Sequence, residues 1–323
     1  MNRRRNVLVT GSHRSGTTWV GKMLAAAPGM DYVHEPFNAD EDERFADPSV
    51  GCKVKTWFLD ASGAPEERAL QQALNERFRR STDAWLNAWH VCRARGVTSV
   101  RTPIRFAKHV ALRTMSPQRV LMKDPIALFS APWLHERFDM QVVCMIRSPL
   151  AFAGSLKKWD WTFDFDHLVR QQSLLSGRLS RYADELTDYA ARPRDVVDQA
   201  NLLWNCFHHV IQQYQSEYPG WCYVRYEDLA VDPVAGFRRL CERIDVDWTP
   251  ELEQKIRESA SAEGVAEADS PSFQKRDSRQ ALQTWRKRLT PEEIERVVEA
   301  TGECAAAFYR WSGSDFEVVS GEW

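Results

Sequence analysis

No apolar run in the 323 residues approaches the ~18 needed to cross a bilayer, so the sequence offers no membrane-spanning segment. Arg3, Arg4 and Arg5 precede an apolar stretch of only about three residues, too short for the core of a secretory signal. Paired cysteines are also missing. The seven thiols, at positions 52, 92, 144, 206, 222, 241 and 304, show no CxxC pair and no zinc-like spacing. Several lie in apolar runs, as Cys144 does in Val142-Val143-Cys144-Met145-Ile146, which is the pattern of buried free thiols in a reducing compartment. The expectation is a cytoplasmic protein. An excess of positive charge is absent too: 43 Lys and Arg stand against 45 Asp and Glu, a net charge of −2. That balance argues against a nucleic-acid or membrane surface, so any anion site must be a local cluster of cations. Repeats and low-complexity linkers are lacking, and the length suits one domain over residues 1–323.

What is present is an ordinary globular composition, 43% hydrophobic and 27% charged, with thirteen Trp residues for core and clefts. The stretch Val7-Leu8-Val9-Thr10-Gly11-Ser12-His13-Arg14-Ser15-Gly16-Thr17-Thr18-Trp19 organises the rest. A β-branched run ends at Gly11, a small polar loop follows, and an amphipathic helix begins near Thr17. Such a junction is an anion cradle, because loop N–H groups and the helix dipole converge on one point. Gly11 and Gly16 have the spacing of a nucleotide-binding P-loop, but Thr17 stands where its Lys is expected. The nearest cation, Arg14, lies inside the loop.

Along the chain, strands are expected at 30–34, 119–123, 141–146 and 221–225. The near-continuous apolar run of 141–146 marks a strand buried on both faces. Helices are expected at about 66–80, 83–95, 131–138, from Pro149 to about Lys158, at about 166–190 and 196–216, after Asp232-Pro233, and from Pro291. Residues 39–118 read as a mainly helical insertion, 159–165 as an aromatic loop, 259–281 as a polar loop, and 259–323 as a C-terminal part that completes the site. The fold class is α/β, a P-loop-type three-layer sandwich around a central parallel sheet.

In open α/β sheets ligands sit beyond the carboxyl ends of the strands. Here those ends carry the Gly11 loop, Glu35-Pro36, Lys123-Asp124-Pro125, Arg147-Ser148-Pro149 and Tyr226-Glu227-Asp228-Leu229. Arg147 and Ser155, eight apart across a strand–helix junction, can place guanidinium and hydroxyl on a phosphate. Trp19 and Tyr226 offer flat faces to a purine.

With these motifs in this order, the chain resembles the sulfotransferases that use 3′-phosphoadenosine 5′-phosphosulfate. Ser12-His13-Arg14-Ser15-Gly16-Thr17-Thr18-Trp19 looks like that family's 5′-phosphosulfate loop, with Arg14 where many members carry Lys. Arg147 with Ser155 looks like its 3′-phosphate motif, Tyr226 like the tyrosine lying against adenine, and Trp285-Arg286 like its C-terminal Trp-basic pair. Counting back from Trp285, Arg279 takes the place of the family's last 3′-phosphate arginine, with Arg276 its rival. Glu35-Pro36 and Lys123-Asp124-Pro125 resemble the carbohydrate and tyrosylprotein branches, in which the Glu is taken as general base and the Lys steadies the departing oxygen. The resemblance therefore implies sulfuryl transfer from 3′-phosphoadenosine 5′-phosphosulfate, without metal, to a carbohydrate hydroxyl. Glu35, Lys123 and Arg14 would be catalytic; Arg14, Ser15, Gly16, Thr17, Thr18, Trp19, Arg147, Ser155, Tyr226 and Arg279 would bind the donor.

Other readings stand beside this one. A phenol or amine of a natural product would serve as acceptor, since the aromatic run 159–165 stacks on either kind of ring. A nucleoside-triphosphate kinase would need the Lys that Thr17 replaces, and a non-catalytic nucleotide-binding protein would share the loop. Glu35 also reads as a cap or ion-pair partner, Lys123 as a solvated strand end, Trp19 as helix core, and His34 and His109 as structural. Nothing in the sequence excludes a homodimer.

Overall fold

A computed structural model describes residues 4–39, 50–82, 119–260, 282–313 and 315–318. Its centre is a five-stranded, all-parallel sheet in the order β2-β3-β1-β4-β5, built from β1 (Asn6–Gly11), β2 (Met30–His34), β3 (Arg119–Lys123), β4 (Met140–Ile146) and β5 (Cys222–Arg225). Side chains alternate between two apolar layers, as the period of a strand requires. Leu8, Val120, Met122, Val142 and Cys144 face one core; Val7, Val9, Leu121, Val143 and Met145 face the other. The central strands are thus apolar on both faces, which is why they read as unbroken runs rather than alternating ones.

Helices cover both layers, giving the expected α/β sandwich. Helix α1 (Thr17–Leu24) lies on the Val7 face with Val20, Met23 and Leu24 buried. Helix α2 (Glu67–Thr82) and α3 (Ala131–Phe138) flank the Leu8 face, as does α4 (Pro149–Lys158), which starts with Ser148 capping the N–H of Ala151 and Pro149 in its first turn.

One expectation fails in this region. The single helix expected at 166–190 is broken into α5 (Asp166–Val169), α6 (Gln172–Ser176), a 3₁₀ turn (Ser180–Tyr182) and α7 (Ala183–Ala191). Gly177 ends α6 at φ −102°, ψ −107°, and a Cβ there would stand 2.8 Å from the Ser173 carbonyl oxygen. The apolar periodicity of 166–190 runs across that interruption and hides it.

Helix α8 (Val196–Glu217) buries Trp204, Phe207, Val210 and Ile211 against the Leu8 face. The chain then runs through α9 (Tyr226–Val231), α10 (Pro233–Arg243), α11 (Pro250–Ala260) and, past a 3₁₀ turn (Thr284–Lys287), α12 (Pro291–Ala305). Helix α12 carries a reciprocal capping box between Thr290 and Glu293. An antiparallel hairpin, β6 (Tyr309–Trp311) and β7 (Phe316–Val318), and helix α11 are features that the sequence pattern did not announce. The helix expected at 83–95, His109, Arg276 and Arg279 lie outside the described residues. Among the described residues, no helix is long and apolar enough to cross a membrane.

Candidate active site

Each of the five parallel strands delivers one functional group at its carboxyl end. Across the sheet, strand order turns into spatial order: Glu35 after β2, Lys123 at β3, the Gly11 loop after β1, Arg147 after β4 and Tyr226 after β5.

The central loop is wound tightly. The N–H and hydroxyl of Ser15 both donate to the Ser12 carbonyl, and Arg14 and Gly16 adopt left-handed φ values of 61° and 94°. Gly16 is the N-cap of α1 and supplies no side-chain cap, so the first-turn N–H groups stay available to an anion. A Cβ on Gly16 would come within 2.5 Å of the Tyr226 ring, so the tyrosine packs directly on the loop. Arg14 Nε donates to Ser155 Oγ at 3.0 Å, and Arg147 donates to the Arg14 carbonyl at 2.6 Å. The Arg147 guanidinium stands 4.5 Å above the Tyr226 ring centre. Residues up to 212 positions apart in sequence, from Arg14 to Arg147, Ser155 and Tyr226, thereby form one cluster around Gly16. Trp19 backs it: its indole is 8% exposed, meets Tyr226 edge-on at 5.7 Å, and donates to Ser259 Oγ at 2.9 Å. Trp19 is a wall behind Tyr226 more than an open stacking face. Ser15 and Thr17 are buried, Thr18 half-buried.

Four buried polar atoms here have no hydrogen-bond partner among the described residues: Thr10 Oγ1, Ser12 Oγ, His13 Nδ1 and Arg147 Nε. Leaving such a group unpaired costs about 1–3 kcal/mol. Gathered at the ends of β1 and β4 beside the two arginines, these donors fit an oxygen-rich anion.

The second cluster joins β2 and β3. Glu35, at φ 47°, donates its N–H to the Lys123 carbonyl at 2.9 Å. Its carboxylate takes a close ion pair from Lys123 Nζ and a 3.1 Å hydrogen bond from Asn38 Nδ2. Lys123 is wholly buried, its stem packed on Gly21 of α1, so it is no solvated strand end. Beside it, buried Asp124 accepts from the N–H groups of Phe37 at 2.7 Å and Ile126 at 2.9 Å. Burial, and then the charge of Glu35, push the Asp124 carboxyl up to about 7. His34 contacts Tyr32 through Nδ1 at 3.2 Å.

Sequence reasoning passed over two groups. Glu227 accepts from the Ser148 N–H at 3.1 Å and from the Tyr309 hydroxyl at 2.9 Å, tying the start of α4 to the C-terminal hairpin. Desolvation holds its carboxyl above the usual carboxylate range. His13 has its imidazole enclosed by Phe58, Phe152, Trp161 and Phe207, with ring centres 4.9–5.8 Å away. The one signal for Glu227 was an acid directly after Tyr226; for His13 there was none.

Fold and site together define an α/β protein whose strand–loop–helix junction has the geometry of an anion cradle. A model of the sulfotransferase family matches residues 6–250, and the chain belongs to that family. No curated protein matches it. Similar solved structures include mouse sulfotransferase SULT7A1 complexed with PAP, at 12% identity over 94% of this chain and 85% of that one, with a TM-score of 0.45. The sulfotransferase domain of the Synechococcus PCC 7002 olefin synthase has 13% identity over 94% and 97%, with a TM-score of 0.44. Sulfotransferase STF9 from Mycobacterium avium has 17% identity over 94% and 77%, with a TM-score of 0.42.

Proposed function

We propose that the crevice binds 3′-phosphoadenosine 5′-phosphosulfate and passes its sulfuryl group to an acceptor hydroxyl. The observation that carries this reading is the spatial order of the five strand ends: an acid and a lysine on one side of the anion loop, an arginine and a tyrosine on the other. In it, Arg147 and Ser155 hold the 3′-phosphate with Arg279, or its neighbour Arg276, and Tyr226 lies against the adenine with Trp19 behind it. The loop from Ser15 to Thr18 holds the 5′-phosphosulfate.

Reaction forms a bond from acceptor oxygen to sulfur and breaks the bridging S–O bond, so negative charge grows on the departing phosphate oxygen. Arg14, Lys123 and the N–H groups of Gly16, Thr17 and Thr18 are fixed donors suited to that charge. A sulfuryl group bears one charge fewer than a phosphoryl group, which removes the need for a metal to neutralise it. Glu35 takes the acceptor's proton, a contribution of roughly 10²–10⁴-fold. Its ion pair with Lys123 aims the carboxylate and links proton acceptance to the residue that steadies the leaving oxygen. Glu35-Pro36 favours a carbohydrate hydroxyl, with a natural-product phenol or amine as the alternative.

The test pairs two variants. Glu35→Gln should lower turnover by ~10²-fold or more while adenosine 3′,5′-bisphosphate binds as before in calorimetry. Arg147→Ala should instead weaken that binding by about tenfold or more. Turnover near wild type in the first variant removes Glu35 as base; unchanged affinity in the second removes Arg147 from the donor site.

A further inference from the structure

Beside the anion loop lies a cavity of about 150 Å³, walled by His13, Trp57, Phe58, Trp161 and Phe163, with Thr162, Asp164 and His167 at its rim. His13 is the residue next to Arg14, so one loop serves both the anion cluster and this cavity. The imidazole is 5% exposed and its Nδ1 has no partner among the described residues. Burial pushes it down to about 3, so it stays neutral at physiological pH, with one N–H and one lone pair.

We propose that this cavity receives the acceptor, that the acceptor presents a single planar aromatic ring bearing a hydroxyl, and that His13 hydrogen-bonds a polar substituent of that ring. The inference rests on the donor reading above and, for the acceptor, takes the phenol alternative over the carbohydrate hydroxyl that Glu35-Pro36 favours. Three observations carry it. A cavity of about 150 Å³ is the size that takes one benzene-sized ring. Its inner wall is made of rings set at angles to one another: Trp57 and Trp161 meet at 80°, Phe58 and Phe163 at 61°. That is the edge and face arrangement in which a further ring packs well. Third, the polar groups are few and mostly engaged. His167 Nδ1 accepts from the Trp57 N–H at 3.4 Å, and Asp164 accepts from the Asp166 N–H at 3.0 Å. A pyranose carries a hydroxyl on nearly every carbon, each needing a partner once buried, and this wall cannot supply them.

The experiment measures binding of 4-fluorophenol, fluorobenzene and methyl β-glucopyranoside by ligand-observed NMR, and of adenosine 3′,5′-bisphosphate by calorimetry. The wild type should bind 4-fluorophenol more tightly than fluorobenzene, and the glucoside least. Trp161→Ala, and Thr162→Trp at the exposed rim, should each weaken 4-fluorophenol about tenfold and leave the bisphosphate within about twofold. Thr162→Trp keeps the inner wall intact, so the test survives if Trp161→Ala fails to fold. His13→Phe should abolish the preference for 4-fluorophenol over fluorobenzene. Undiminished 4-fluorophenol binding in Thr162→Trp, or preferred binding of the glucoside, overturns the ring assignment. A preference retained in His13→Phe overturns the role of His13. Failure of the wild type to bind the bisphosphate would instead strike the donor reading, while the phenol measurements still report on the cavity.

Discussion

At the scale of single residues, Gly16 has little freedom to vary. It combines a left-handed φ of 94° with a Cβ direction that ends 2.5 Å from the Tyr226 ring. Gly16→Ala must therefore strain the loop and displace the tyrosine together. The expected result is a loss of about 1–3 kcal/mol in unfolding free energy, with weakened bisphosphate binding because Tyr226 and Arg147 move as a pair. Urea denaturation and calorimetry check it; a variant matching the wild type in both would show that the loop adapts freely. Gly16, Arg14, Ser155 and Arg147 were legible in the sequence because each sits at a fixed offset from a strand end, and local spacing is what a sequence displays. His13 was not. Its meaning comes from Phe58, Trp161 and Phe207, which are distant in sequence and converge only through the packing of α8 and the aromatic loop on the sheet. Trp19 carries the converse lesson, since an amphipathic pattern predicts burial and a purine contact equally well, and the structure shows burial.

At the scale of elements, the strands of the central sheet were readable to within a residue, and most plainly β4, which is buried on both faces and so leaves a nearly unbroken apolar run. The broken helix at 166–191 and the C-terminal hairpin were not, since both depend on contacts outside themselves. The hairpin has one strong link to the site: Tyr309 donates its hydroxyl to Glu227, which also accepts from the N–H at the start of α4. Tyr309→Phe leaves a desolvated carboxylate short of a donor and should cost about 1–3 kcal/mol of stability. Because the hydroxyl does not touch the anion loop, bisphosphate affinity should change far less than it does in Gly16→Ala. Denaturation alongside calorimetry separates the two effects. A large loss of affinity without loss of stability would mean that Glu227 acts mainly by positioning Arg147.

At the scale of the whole molecule, buried titratable groups set how stability follows pH, and they pull in opposite directions. Burial pushes His13 and His208 down to about 3 from an ordinary 6.5, and pushes Asp124 up to about 7 from 3.8. Between about pH 3 and 6.5 the unfolded chain binds protons at both imidazoles that the folded chain refuses. The stability from these groups is therefore complete above about 6.5 and is lost as pH falls toward 3. Asp124 does the reverse: the folded chain keeps its proton while the unfolded chain releases it, so its contribution is complete below about 3.8 and fades as pH rises to about 7. His208 isolates the first effect. It stacks on Trp204 at 3.8 Å, its Nδ1 lies 2.8 Å from the Trp204 carbonyl, and its Nε2 is buried with no partner among the described residues. The hydrogen-bond geometry assigns the proton to Nδ1, so protonating Nε2 would bury an unpaired cationic N–H. His208→Phe keeps an aromatic ring on Trp204 and removes the titration. Urea denaturation of both proteins from about pH 4 to 8 should give stability curves that converge in slope above about 6.5. Below that, the wild type should fall more steeply, by up to about 1.4 kcal/mol per pH unit. The contributions of His13 and Asp124 are common to both proteins and cancel in the difference. Parallel curves across the whole range would mean that His208 takes up its proton in the folded protein, and that the helix pair around Trp204 opens to water as the pH falls.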